Sequence, residues 1–172
     1  MTKKTPLRPA DDEARKIARD LLDAATFGAL AVTLPTDQTP FVSRIAVGRA
    51  PDGTPVSLVS DLSQHTAALR ANPVCSLMVG EPGPKGDPLT HARLTLQCST
   101  AFVAHQDEAF RPLRDHYLSD HPKAKLYIDF ADFSFVLFAV TRGFLNGGFG
   151  FACMLTPADL GLEGIEFPRP AP

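Results

Sequence analysis

The sequence predicts a mainly β chain with flanking helices, folded as a small antiparallel barrel. Three observations carry this expectation. Runs of β-branched and aromatic residues recur at short intervals between clusters of Pro, Gly, Asn and Asp. Helix-like segments fall between them mainly as crossings, so the βαβ alternation of a doubly wound parallel sheet is missing. A length of 172 residues, 44% hydrophobic and 21% charged, supplies one core and not two.

The elements follow in order. Residues 1–10 read as a disordered head. Asp11 or Asp12 then caps a helix whose apolar positions Ala14, Ile17, Ala18, Leu21, Leu22 and Ala25 keep i, i+3, i+4 spacing, the mark of one face lying on a core. Residues 27–34 and 41–47 read as a hairpin closed by Pro35-Thr36-Asp37-Gln38-Thr39-Pro40. After the turn Ala50-Pro51-Asp52-Gly53-Thr54 come a third strand at 56–59, a short helix at 67–71, the breaker Asn72-Pro73 and a fourth strand at 74–79.

The segment 81–88 holds three prolines and two glycines, so it reads as a mobile surface loop. Residues 93–103 alternate, with Leu94, Leu96 and Cys98 on one face and Arg93, Thr95 and Gln97 on the other, a half-buried strand. Two short helices are expected at 106–119 and 123–127, with Pro112 in a first turn or at a kink and Pro122 at a helix start. An apolar strand at 133–140 leads into the glycine-rich 141–150, where the backbone must turn sharply or approach something closely. A last short helix at about 157–162 precedes a Pro-rich tail at 164–172, which has no means of pairing in a sheet and should fray. The folded domain is thus expected at 11–163.

The chemistry concentrates in Ser60-Asp61-Leu62-Ser63-Gln64-His65-Thr66, between the third strand and the helix, with Ser43-Arg44 on the preceding strand. Unpaired N–H groups at a helix start favour an anion. Ser60, Ser63 and Thr66 add neutral donors, and Arg44 adds a planar fork with a fixed charge, a combination suited to a phosphate monoester. The plain alternative is that Ser63 only caps the helix, worth about 1 kcal/mol, while Arg44 lies solvated at a strand edge. No G-x-G-x-x-G or G-x-x-x-x-G-K-[ST] phosphate fingerprint occurs elsewhere.

Composition excludes other classes. A formal charge of −2, without a basic cluster interleaved with aromatics, gives nucleic acid no footprint. No apolar run approaches a membrane span, so a soluble, cytoplasmic protein is expected. Cys75, Cys98 and Cys153 are odd in number, widely spaced and set among apolar residues, which reads as buried free thiols. His65, His91, His105, His116 and His121 form no H-x-x-x-H or H-E-x-x-H pair, so no dedicated metal site is expected.

The order of helix, hairpin, Ser43-Arg44, the 60–66 turn, Ala71-Asn72-Pro73, Arg93-Leu94-Thr95-Leu96 and Asn146-Gly147-Gly148-Phe149-Gly150 resembles the pyridoxamine 5′-phosphate oxidase-like FMN-binding split barrels. Within them it is most similar to the haem-utilisation branch, over about residues 12–160. The resemblance implies a six-stranded split barrel and a homodimer with FMN between the subunits. It places Arg44 at the FMN phosphate, Ser60, Ser63, Gln64 and His65 on the phosphate-side turn, and Arg93 near the flavin ring, favouring the anionic reduced flavin; Ser43 and Thr66 complete the expected cofactor-binding set.

Departures from the family pattern shape the expectation. Gln64 and His65 stand where the oxidase has an Arg-Lys pair, which throws phosphate binding onto hydroxyls and Arg44. Phe151 stands where the haem-utilisation branch commonly has arginine, no histidine follows His121, and the oxidase's C-terminal basic and aromatic residues are missing. The leading expectation is a flavin-dependent oxidoreductase acting on an unidentified small molecule. The alternatives are a haem-binding or haem-degrading protein, with His91 or His121 as iron ligand, a non-catalytic flavin carrier or sensor, and a barrel that binds nothing.

Overall fold

The computed structural model describes residues 9–148 and 150–162. The tail and all but the end of the expected head lie outside the described residues.

Helix α1 (Asp12–Ala24) begins where Asp11 Oδ1 accepts the Ala14 N–H at 2.8 Å, and it buries Ala14, Ala18 and Leu22. Its apolar stripe closes the main core over Leu30, Leu77, Leu94 and Leu96. The strands are β1 (Phe27–Thr33), β2 (Pro40–Ala46), β3 (Gly48–Arg49), β4 (Pro55–Ser60), β5 (Val74–Val79), β6 (Arg93–Val103), β7 (Phe133–Asn146) and β8 (Ala152–Leu155). They pair antiparallel in the order β2-β1-β5-β6-β7-β4-β3, with β8 on β7. Helices α2 (Gln64–Ala71) and α3 (Phe110–Asp120) cross between them.

The barrel is mainly β, as expected, but has eight strands and not six. Two of the elements were not anticipated. β3 pairs with β4, Gly48 opposite Val56 and Arg49 opposite Pro55, at a place that reads locally as a turn. β8 pairs with the glycine-containing half of β7.

β7 runs six residues beyond the expected end at 140 because Gly143 points into the core, where an added Cβ would lie 3.3 Å from Leu160 and 3.4 Å from Leu94. Past β7 the backbone takes left-handed conformations at Gly148, with φ +113°, and at Gly150, with φ +74°.

The expected helix at 157–162 is a pair of turns, with Leu160 N–H donating to Pro157 O at 3.1 Å and Gly161 N–H to Ala158 O at 3.0 Å. Gly161, at φ +73°, stops it from propagating. Asp159 ties this segment to α1 through Arg15 Nε at 2.7 Å. α3 starts at Phe110, four residues later than expected, after a turn in which Asp107 accepts the Ala104 N–H. Pro112 sits in its first turn, and Pro122 opens a 3-10 turn at Pro122–Leu126.

A second, smaller core under α3 joins Phe110, Leu113 and Tyr117 to Ile128 and Phe135. Cys75, Cys98 and Cys153 are buried and form no disulfide among the described residues, in line with their apolar surroundings. Among the described residues no helix is long and apolar enough to cross a membrane.

One feature of this topology positions the site. β3 covers β4 only at Pro55 and Val56, so the rest of that edge is unpaired on the side that faces β2. The barrel is split along this seam, and α2 closes one end of it against β1 and β2.

Candidate functional site

The seam opens as a cleft of about 340 Å³ lined by Arg44, Ile45 and Ala46 of β2, Leu58 to Ser60 of β4, Ser63 and His65 at the start of α2, and Tyr127 and Phe133. Four of the sequence-predicted residues, Arg44, Ser60, Ser63 and His65, thus meet in one place. Ser43 joins them, its Oγ 3.0 Å from Nδ1 of His65.

Each group has a distinct state. The Arg44 guanidinium is largely exposed, 3.6 Å from Glu81 Oε1 and 5.2 Å above the Phe27 ring. An ion pair that long and that wet is weak, so the charge is available to another anion. His65 is half-buried, and burial lowers its pKa, leaving a neutral imidazole at neutral pH. Ser63 occupies the N-cap of α2 but makes no side-chain cap bond. Its hydroxyl therefore lies beside first-turn N–H groups that have no partner within the helix.

Ser60 differs. Its Oγ donates to Asp132 Oδ2 at 2.6 Å and accepts the Leu62 N–H at 3.1 Å, so it organises the turn. The Asp61 N–H donates to Asp132 O at 2.8 Å, which makes the 60–63 turn and residue 132 one unit. A carboxylate is thereby fixed behind the turn.

Three predicted residues lie elsewhere. Gln64 is exposed on α2 outside the cleft lining. Thr66 is 1% exposed, and its Oγ1 has no hydrogen-bond partner among the described residues. Arg93 is on β6, three strands from β2 and so roughly 14 Å across the sheet. Its Nη1 is held by Leu89 O at 3.0 Å and His91 O at 3.3 Å.

Neither histidine proposed from sequence as an iron ligand reaches the cleft. His91 accepts the Gly83 N–H at Nδ1 and meets Lys85 O at Nε2, 2.8 Å away. His121 Nε2 lies 2.9 Å from Val47 O, with its ring 4.3 Å from that of Tyr117. Among the described residues no group of three or more His, Cys, Asp or Glu could hold a metal ion.

Sequence reasoning missed the apolar wall. The Tyr127 and Phe133 ring centroids lie 5.1 Å apart with the planes tilted by 40°, and Phe130 meets Phe133 at 6.3 Å. Leu126 beside them is 79% exposed and Phe130 56%. The available signal was three large apolar residues, Leu126, Tyr127 and Phe130, in a segment too short to bury them all.

The chain matches the model described as CREG, beta-barrel over residues 9–160. It is 42% identical over 87 residues to the Arabidopsis thaliana protein named Non-canonical heme oxygenase HOZ, chloroplastic, a match covering 49% of this chain and 25% of that protein. A heme binding protein from Mycobacterium smegmatis superposes with a TM-score of 0.76 at 30% identity, over 90% of this chain and 61% of that one.

At the level of fold alone, a Clostridium acetobutylicum protein of the pyridoxinephosphate oxidase family superposes with a TM-score of 0.65 at 13% identity, over 88% of this chain and 99% of that one. The chain spans about a quarter of the curated relative's length and less than two thirds of the mycobacterial protein. With the family model spanning nearly all the described residues and the fold shared with the oxidase-type split barrels, the chain belongs to the CREG beta-barrel family.

Proposed function

We propose that the protein binds haem in the seam between β2 and β4. The observation that carries this reading is the make-up of the cleft: an available guanidinium at one side, an aromatic wall of Tyr127 and Phe133 at another, and a half-buried neutral imidazole between β2 and α2. Haem presents two carboxylates on a wide apolar disc, and this donor set fits it. Arg44 would pair with a propionate, and Tyr127 and Phe133, extended by exposed Leu126 and Phe130, would cover the ring. Bound there, haem would supply the redox and oxygen chemistry. The names of the Arabidopsis and mycobacterial relatives support haem over flavin. The name of the Arabidopsis relative extends the proposal to oxidative opening of the ring by dioxygen with electrons from an external reductant.

A cleft of about 340 Å³ lies at the small end for ligand sites, so much of a tetrapyrrole would extend beyond it. We infer that a second copy of the chain covers the remainder. The outward face of the sheet carries Phe27, Val42, Val74 and Met78, each at least 38% exposed, on the adjoining strands β2, β1 and β5. Such an apolar face suits an isologous homodimer.

FMN is the second reading, favoured by one observation: Ser63 and the first turn of α2 leave donors facing the side where Arg44 lies. A phosphate dianion there would meet a single cation, with Asp132 fixed behind the turn, which weakens the case.

Haemin titration of the purified chain, read at the Soret band beside a parallel FMN titration, tests the proposal. Saturable haemin binding at one per protomer is expected, and Arg44→Ala should weaken it about two- to fivefold, the scale of an exposed charge pair. Saturable FMN binding without haemin binding would overturn it. Loss of the Soret band under air with a reductant tests ring opening.

A further inference from the structure

Resting on the haem reading, we propose that His65 is the axial ligand of the iron, presenting Nε2, and that Ser43 is the residue that positions it. The geometry is specific. Nδ1 of His65 lies 3.0 Å from Ser43 Oγ, while the ring borders the cleft. When Nδ1–H donates to that oxygen, the Nε2 lone pair is the free one. A histidine that ligates a metal almost always has a partner on its other nitrogen, which fixes tautomer and orientation. Ser43 and His65 have that relation before any ligand arrives. His65 is also held by its backbone, in the first turn of α2, where Thr66, Ala68 and Leu69 are buried beneath it.

Elimination leads to the same residue. The side chains lining the cleft that carry an iron-binding atom of the usual kind are His65 and Tyr127. Tyr127 is packed against Phe133 as part of the apolar wall, whereas His65 already has a partner on its second nitrogen. His91 and His121 have nitrogens bonded to main-chain carbonyls, as does His105, whose Nε2 lies 3.1 Å from Ile128 O. The three cysteines are buried in the core. The opposite proton placement, with Ser43 donating to Nδ1, would turn Nε2–H toward a propionate or a phosphate and make His65 an anion contact.

Spectroscopy of the haemin complex separates these cases without relying on turnover. The full chain is loaded with haemin and compared with His65→Ala, Tyr127→Phe and Ser43→Ala by absorption, electron paramagnetic resonance and resonance Raman, ferric and dithionite-reduced. Wild type is expected to show a histidine-ligated signature and an iron–histidine stretch in the reduced form, and Tyr127→Phe should keep both. His65→Ala should lose them and regain the histidine-type spectrum on addition of imidazole, which also establishes that the variant is folded. Ser43→Ala should retain ligation with a shifted iron–histidine stretch and roughly tenfold weaker haemin binding. A wild-type spectrum in His65→Ala overturns the ligand assignment while leaving haem binding intact. An unmoved stretch in Ser43→Ala overturns the positioning role. Failure of the wild type to take up haemin at all overturns the haem reading itself.

Discussion

Ser60→Ala against Ser63→Ala separates a structural hydroxyl from a ligand-facing one a single turn apart. Ser60 Oγ donates to the Asp132 carboxylate at 2.6 Å and accepts the Leu62 N–H at 3.1 Å. A hydrogen bond to a charged acceptor contributes about 1.5–3 kcal/mol, and Asp132 is half-buried, so the lower part of that range applies. The bond to the exposed Leu62 N–H adds about 0.5 kcal/mol. The alanine variant should therefore lose about 2 kcal/mol, or roughly 4–8 °C in Tm for a chain of this size.

Ser63 occupies an N-cap, where truncation usually costs about 1 kcal/mol. Here its side chain makes no cap bond, so the loss should stay below about 0.5 kcal/mol. Urea unfolding of ligand-free protein, followed by circular dichroism, measures both. Ligand titration of the folded variants then supplies the other axis, where only Ser63→Ala should weaken binding directly. An unchanged Tm in Ser60→Ala together with tenfold weaker binding would refute this reasoning, because Ser60 would then be donating to ligand and not to Asp132.

Three further outcomes are expected. Thr156 N–H and then Arg15 hold the Asp159 carboxyl below its ordinary pKa, so their bonds stabilise the fold fully above the unfolded value near 4, and this is lost as pH falls through the lower folded value. Asp159→Asn should thus flatten the acid limb of a stability-against-pH curve measured between about pH 2 and 5, and an identical limb would count against the tie. Gly80 has φ +102°, and an added Cβ would lie 2.7 Å from Ala92 O, so Gly80→Ala should cost more than about 1 kcal/mol in urea unfolding. Met78 lies on the outward sheet face at 44% exposure; Met78→Glu should leave a folded monomer on light scattering, and an unchanged mass would remove that face as the dimer contact.

Much of the fold was written locally. The Asp11 cap and the apolar stripe of α1, the alternation that sets β6 with Leu94, Leu96 and Cys98 inward, and the exact extent of β5 needed only neighbours in sequence. The same holds for Pro112 and Pro122 at helix starts, since proline fixes its own φ and lacks a donor. Periodicity reports which face a residue takes, but not what lies opposite.

Tertiary structure therefore decided the rest. β3 exists only through pairing with β4, and β7 continues through Gly143 because Leu94 and Leu160 fill the space beside it. At the site, sequence identified the cluster around Ser43-Arg44 and the 60–66 turn, whose hydroxyls and charge are visible as residue types. It could not distribute their roles. Ser60 is claimed by Asp132, 72 residues away, Thr66 turns into the core because of its place on α2, and Arg93 is separated by the strand order. His65 acquires its character from Ser43, 22 residues earlier, and from burial in a seam that exists only once β2, β4 and α2 are brought together. Residue chemistry is local, whereas partnership, burial and the wall formed by Tyr127 and Phe133 are products of long-range packing.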